Sequence, residues 1–265
     1  MNDMNDKLDD LRRRLRKLES AVVAFSGGVD SSLLAVLARA ELADRMIAAT
    51  AVSPSLQSTD RMLCVALSEQ LKLPHAFVET NELLDQDYAA NPDDRCYFCK
   101  RHLLERMIAL ADEKGFKFVV EGTNLSDLDG HRPGRRATEE NARAVTPLID
   151  AGLTKEDVRT IARELRIPTA DKPSAACLAS RIPAGIPITR DLLRRIDLAE
   201  DAVRASGVSQ VRVRHHGEIA RIEVGEDEID TVARARSEIA EKLGELGWKF
   251  VALDLTGYRT GGAKG

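Results

Sequence analysis

Seven consecutive residues, Ser26-Gly27-Gly28-Val29-Asp30-Ser31-Ser32, join two adjacent glycines, three hydroxyls and one carboxylate just after a short apolar run. Adjacent glycines let a backbone wrap closely around a ligand, and the N–H groups left free at the start of a following helix favour an anion. The hydroxyls of Ser26, Ser31 and Ser32 suit phosphate oxygens, and Asp30 suits a Mg²⁺ ion held against them. A strand-to-helix turn merely capped by Ser and Gly is the plain alternative, but the whole heptapeptide in this context favours phosphate. The chain has no Gly-Lys dipeptide and no G-x-G-x-x-G, which excludes a Walker A loop and a dinucleotide fingerprint.

A second set of reactive types lies far downstream. Cys177 sits in Lys172-Pro-Ser-Ala-Ala-Cys177-Leu-Ala-Ser-Arg181, a proline-flanked polar loop unlike the setting of a packing cysteine. A thiolate is the nucleophile, and Lys172 and Arg181 would supply positive charge to favour it. Ala175, Ala176 and Ala179 leave room for a bulky partner. Arg212 and Arg214 stand two apart on an alternating stretch, so they share a face; paired guanidinium groups suit phosphate or carboxylate, although a solvated hairpin face would look the same. Cys64 falls in helical phase with Met62, Leu67 and Leu71, which assigns it to the core. Cys96 and Cys99 form a C-x-x-C with His102 beyond them, but no second pair completes a zinc site; Cys96, Cys99 and Cys177 together leave an iron–sulfur cluster as an alternative.

The heptapeptide resembles the PP-loop, the pyrophosphate-binding SGGxDS loop of N-type ATP pyrophosphatases, which implies ATP cleavage between the α- and β-phosphates with Mg²⁺. By that resemblance the backbone near Ala51 holds adenine, and Gly122, Thr123 and Asn124 line the carboxyl edge of the sheet. The segments around Cys177 and Arg95-Cys-Tyr-Phe-Cys-Lys100, with His131-Arg-Pro-Gly134, Val211-Arg-Val-Arg214 and Arg221-Ile-Glu223, are together similar to the LarE family of sacrificial sulfur transferases. This implies adenylation of pyridinium-3,5-biscarboxylic acid mononucleotide, sulfur donation from Cys177 with dehydroalanine left behind, and service to the nickel-pincer cofactor of lactate racemase. It also implies substrate binding by Arg181, Arg212, Arg214 and Tyr97, metal binding by Glu200 and Glu223, no permanent cofactor, and a homo-oligomer, as a hexamer. A tRNA sulfurtransferase, an ammonia-using synthetase and a non-catalytic nucleotide binder share the loop and remain as alternatives.

Composition narrows the field. The 265 residues carry 39 Lys and Arg against 43 Asp and Glu, a net charge of -4, with no basic surplus for nucleic acid. No run of eighteen apolar residues is present, and the charged N-terminus lacks a signal core, so no membrane partner and a cytoplasmic location are expected.

The elements that must position these residues follow from periodicity. Leu8, Leu11, Leu15 and Leu18 predict a helix over 5–20; apolar runs at 21–25, 46–52, 75–79 and 116–120 alternate with helical patterns at 31–42, 58–71 and 96–114. That alternation predicts an α/β fold, a parallel doubly wound sheet covered on both faces. Lys155 to Leu165 reads as a helix capped by Thr154. Beyond it, a helix at 191–205, a hairpin of 210–215 and 220–224 turning near Gly217, a helix at 228–247 and a strand at 249–255 predict a small C-terminal α+β domain. The expected domains are 1–175 and 176–258, with a tail, 259–265, lacking ordered structure.

Overall fold

The structure, a computed structural model, describes residues 2–128, 132–173 and 176–259. His131, Ala175 and positions 260–265 of the expected tail lie outside the described residues. Two compact units emerge: Met1–Ser53, Ser58–Tyr88 and Asp94–Ala175 form the first, and Pro54–Gln57, Ala89–Asp93 and Ala176–Gly265 the second. Two short segments, 54–57 and 89–93, thus group with the second unit although they precede the boundary expected from sequence.

The first unit runs α1 (Asn2–Lys17), β1 (Ala21–Ala24), α2 (Val29–Leu42), β2 (Met46–Val52), α3 (Ser58–Gln70), β3 (His75–Glu79), α4 (Gln86–Ala89), α5 (Arg95–Lys114), β4 (Phe118–Val120), α6 (Gly134–Glu139), β5 (Ala144–Val145), α7 (Pro147–Asp150) and α8 (Lys155–Glu164). Its five strands are parallel in the order β3-β2-β1-β4-β5. β1 is central, and its side chains alternate between faces. Ala21 and Val23 pack with Leu11 and Leu15 of α1, Leu33 and Leu37 of α2 and Ile161 of α8. Val22 packs on the opposite face with Leu104 and Met107 of α5. Both faces are buried, which is why these strands read as apolar runs rather than alternating ones.

The strand expected from Phe116 begins at Phe118. Gly115 ends α5 in the left-handed region, φ 69°, and the Phe116 N–H donates to Ala111 O, so the first residues of the apolar run are spent closing the helix. Thr154 caps α8 as read from sequence, its hydroxyl accepting from Asp157 N while the Asp157 carboxylate accepts from Thr154 N.

The second unit holds α9 (Arg190–Arg204), β6 (Val211–His216), β7 (Ile219–Val224), α10 (Ile229–Arg234), α11 (Arg236–Glu245) and β8 (Phe250–Leu253). β6 and β7 form the expected hairpin, turning through Gly217 at φ 63°, and β8 joins β7 in parallel. The single helix expected over 228–247 is two, broken at Ala235 (φ −86°, ψ 9°); alanine is the strongest helix former, so propensity does not encode this break. Among the described residues no helix is long and apolar enough to cross a membrane.

Candidate functional site

The phosphate loop follows directly from β1. Phe25 N–H donates to Ala49 O and the Thr50 hydroxyl to Phe25 O, which fixes the strand end from which Ser26 departs. Gly27 takes φ 67°, and a Cβ there would stand 3.2 Å from Cys64 Sγ and 3.5 Å from Leu67, so glycine is required both by conformation and by the apolar floor beneath. Cys64 is that floor: it is fully buried, and burial pushes its thiol above the ordinary range. The cap of α2 is Gly28, which has no side chain to satisfy the first-turn N–H groups. Those groups, the Ser31 hydroxyl bound to Gly28 O, and a buried Ser32 Oγ without a hydrogen-bond partner form a cradle suited to phosphate oxygens.

The other strands' edges close on this loop. Gly122, after β4, passes so near α2 that a Cβ would lie 3.3 Å from Asp30 Cβ and 3.4 Å from Ser31 N. Asn124 Nδ2 donates to Asp30 Oδ1 at 3.0 Å, and Lys155 at the start of α8 pairs with Asp30 Oδ2. Asn124 Oδ1 is buried with no partner, so a carboxylate and an amide oxygen stand together, the hard oxygen chemistry that fits Mg²⁺. Thr123 donates to Glu121, which also accepts from Lys100 Nζ at 2.6 Å. Burial opposes ionisation of Glu121, yet Lys100 and Thr123 outweigh it and hold the carboxyl below its ordinary value. Lys172, which the sequence reading sets beside Cys177, reaches Asp60 at 3.1 Å and Gly27 O at 3.5 Å. Ala51, half-buried near the end of β2, pairs with Val78 of β3.

Tyr97 on α5 has one face under the Arg136 guanidinium, 3.8 Å from the ring centre, and its hydroxyl donates to Glu140. Cys96 is exposed and Cys99 half-buried on the same helix; within either unit no three His, Cys, Asp or Glu among the described residues form a metal cluster.

In the second unit Cys177 is exposed and opens a short turn, Leu178–Arg181. Neighbouring segments of the same unit anchor that turn and its flanks: the Leu178 N–H donates to Ser55 O, and the side-chain amides of Gln57 and Asn91 donate, Gln57 Nε2 to Ala176 O and Asn91 Nδ2 to Pro183 O and Ile186 O. Arg181 is wholly buried. Its Nε and Nη2 donate to Glu200 at 2.8 and 3.0 Å, and its Nη1 donates to Ala176 O and Cys177 O. Glu200 also accepts from Val213 N and Arg204.

Arg212, Arg214, Arg221 and Glu223 share one face of the β6–β7 hairpin. Arg212 stands directly across from Glu223 in register, yet the carboxylate is taken diagonally by Arg214, at 2.9 Å, and by Arg221 at 2.8 Å. Arg212 instead donates to Val211 O and lies 5.3 Å over the Tyr258 ring. Burial, with the charge of Arg181 nearby, pushes its guanidinium below the ordinary arginine value. The structure therefore gives Arg181 and Arg214 carboxylate partners, engages the expected metal ligands Glu200 and Glu223 with arginines, and leaves Arg212 as a buried cation held by a carbonyl and a ring.

Sequence reading overlooked Lys155, Lys100, Arg204, Gln57 and Asn91. Lys155 pairs with Asp30 across 125 positions of chain, and no local spacing signals such a contact. Asn91 takes φ 57°, a conformation that asparagine tolerates better than most residues, but its contacts at Pro183 and Ile186 lie some ninety positions away, where no local signal points.

Comparison with known proteins places these features in a family. The asparagine synthase family model matches residues 5–107, the part that carries the phosphate loop. Over 260 residues the chain is 38% identical to an uncharacterised protein of Synechocystis sp., covering 97% of each. It is 33% identical over 248 residues to the pyridinium-3,5-bisthiocarboxylic acid mononucleotide synthase of Lactiplantibacillus plantarum, covering 93% of this chain and 90% of that one. A tRNA-specific 2-thiouridylase of Azorhizobium caulinodans is 30% identical over 236 residues, 59% of its own length. With two relatives matching nearly end to end and the glycine cradle formed on β1 and α2, the chain belongs to the LarE family of ATP-dependent sulfur transferases within the PP-loop superfamily.

Proposed function

We propose that this protein uses ATP to convert the carboxylates of pyridinium-3,5-biscarboxylic acid mononucleotide to thiocarboxylates, with Cys177 as the sulfur donor, for the nickel-pincer cofactor of lactate racemase. The reading takes its substrate from the product named for the Lactiplantibacillus plantarum relative. The observation that carries it is Cys177: an exposed thiol in a unit where three buried arginines, Arg181, Arg212 and Arg214, stand against two buried glutamates, Glu200 and Glu223, among the described residues. Excess buried positive charge suits a substrate bearing a phosphate and two carboxylates.

In this reading the loop from Ser26 to Ser32 binds the leaving pyrophosphate through N–H and hydroxyl groups. A substrate carboxylate attacks the α-phosphorus of ATP and becomes an acyl-adenylate. Asp30 and Asn124 would hold Mg²⁺, which when bound offsets phosphate charge. Cys177 thiolate attacks the acyl carbon, AMP leaves, and a thioester joins substrate to protein. Loss of the Cys177 α-proton and cleavage of its Cβ–S bond release the thiocarboxylate and leave dehydroalanine. Arg212 is the residue we assign to the substrate's anionic group.

Intact-protein mass spectra before and after incubation with Mg-ATP and the dicarboxylate nucleotide test this, with peptides over 173–181 mapped. Loss of one H₂S at Cys177, matched by AMP and pyrophosphate, is expected. Continued thiocarboxylate formation at unchanged protein mass would overturn the sacrificial route in favour of an iron–sulfur one. No AMP at all would overturn the substrate.

A further inference from the structure

The carbonyl oxygen of Cys177 accepts from three donors: Ser180 N at 3.0 Å, Ser180 Oγ at 2.8 Å and Arg181 Nη1 at 2.8 Å. A short turn needs only the first of these, the backbone bond from three residues on. Two side-chain donors, one of them charged, are more than a neutral amide oxygen requires and match an oxygen that acquires negative charge.

These donors are held in place. Glu200 binds the Nε–Nη2 edge of the Arg181 guanidinium with both its oxygens and leaves Nη1 to the turn. The same Nη1 also lies 2.5 Å from Ala176 O and 3.1 Å from Ser180 Oγ, so its two N–H groups are shared among the acceptors of this turn. Arg214 Nη1 donates to Ser180 O at 2.9 Å and fixes that residue's backbone.

We propose that Ser180 and Arg181 form an oxyanion cradle on the carbonyl of Cys177, which makes its α-proton removable and so drives the step that releases sulfur. The inference rests on the sacrificial reading above. Once Cys177 carries the thioester, its α-proton passes to water, which reaches the exposed residue, and the C–H electron pair moves into the Cys177 carbonyl as an enolate. The enolate oxygen lies under the three donors. Its electron pair then returns to form the Cα=Cβ double bond, and the Cβ–S bond breaks with its pair leaving on sulfur. The products are dehydroalanine and a thiocarboxylate; nothing outside the protein is oxidised or reduced. Arg214 and Glu200 act as positioning residues for this cradle.

Single-turnover mass spectrometry of the full chain with Mg-ATP and the dicarboxylate nucleotide separates this step from the earlier ones. Ser180→Ala should release AMP and pyrophosphate as the parent does, accumulate the covalent protein–substrate thioester, and form dehydroalanine about 10²-fold more slowly, the usual effect of losing one oxyanion donor. Ser180→Thr, which keeps the hydroxyl, should restore elimination, and Arg181→Lys should accumulate the same adduct. Parent-like elimination in Ser180→Ala overturns the inference alone, as does a variant that makes no thioester, because its defect then lies in an earlier step. A parent protein that forms neither thioester nor dehydroalanine overturns both this inference and the function it rests on.

Discussion

Glu200→Gln preserves the shape of the side chain and removes its charge. In the parent, Glu200 and Arg181 side chains are both fully shielded from solvent, and the carboxylate accepts from Arg181 Nε (2.8 Å), Arg181 Nη2 (3.0 Å), Arg204 Nη2 (3.1 Å) and Val213 N (3.0 Å). A glutamine supplies one acceptor oxygen and turns an NH₂ group toward guanidinium donors. The Arg181 charge is then left buried without compensation. Breaking one side of a buried pair costs about 3–5 kcal/mol. Arg204 contributes little to the loss, since it is partly exposed and keeps Asp201 at 2.7 Å. At about 2–4 °C per kcal/mol for a chain of this class, the melting transition should fall by roughly 6–20 °C. Scanning calorimetry measures the fall, with circular dichroism confirming an unchanged secondary structure at low temperature. The companion variant Arg181→Met/Glu200→Leu removes both charges and should melt above Glu200→Gln, since an apolar pair of similar volume leaves no buried charge. A fall of less than about 2 °C for Glu200→Gln, or a double variant no more stable than the single one, would refute the reasoning.

Three further outcomes follow from the first unit. Gly27→Ala forces an alanine into the left-handed region with its Cβ 3.2 Å from Cys64 Sγ; a loss of about 1–2 kcal/mol is expected, with ATP-dependent pyrophosphate release at background, and parent-like release would sink the cradle. Asp30→Asn should abolish AMP formation while shifting stability by no more than about 1 kcal/mol, because its pair with Lys155 is partly solvated; undiminished AMP formation would remove Asp30 from the site. Glu121 is held below its ordinary value of 4.5, so its contribution to stability is present above that value and is lost as pH falls through the lower folded value. Lys100→Met removes the strongest of the influences that lower the folded value and leaves burial opposed only by the Thr123 hydrogen bonds, so the folded value rises. Thermal melts between about pH 3 and pH 6 should therefore show stability dropping on acidification in the parent and a weakened or reversed slope in the variant; identical slopes would mean Lys100 does not control this carboxyl.

The sequence alone determined the features that depend on neighbours along the chain. A four-residue apolar strand, two glycines and a hydroxyl-rich helix start specify a phosphate cradle because strand, turn and helix N-terminus are each set by local backbone chemistry. Helical period placed Leu11, Leu15 and Cys64 in the core, where the structure finds them fully buried, while Met62, read in the same phase as Cys64, is exposed because two positions along a helix reach the opposite face; a proline-flanked polar loop marked Cys177, which is exposed. Weaker local signals went astray: the two-residue strand Ala144–Val145 is too short to show a period, and the helix break at Ala235 sits on a residue that favours helix. Tertiary structure alone decided the electrostatics. Lys155 meets Asp30 because α8 begins beside the loop, and Glu223 serves Arg214 and Arg221 rather than the Arg212 opposite it. Of three arginines expected to bind an anion, two are matched by glutamates, and Arg212 pairs with no carboxylate among the described residues. Charge pairing of this kind depends on strand register and helix packing between residues far apart in the chain. Residue type announces that a charge is present; only the fold decides which partner neutralises it.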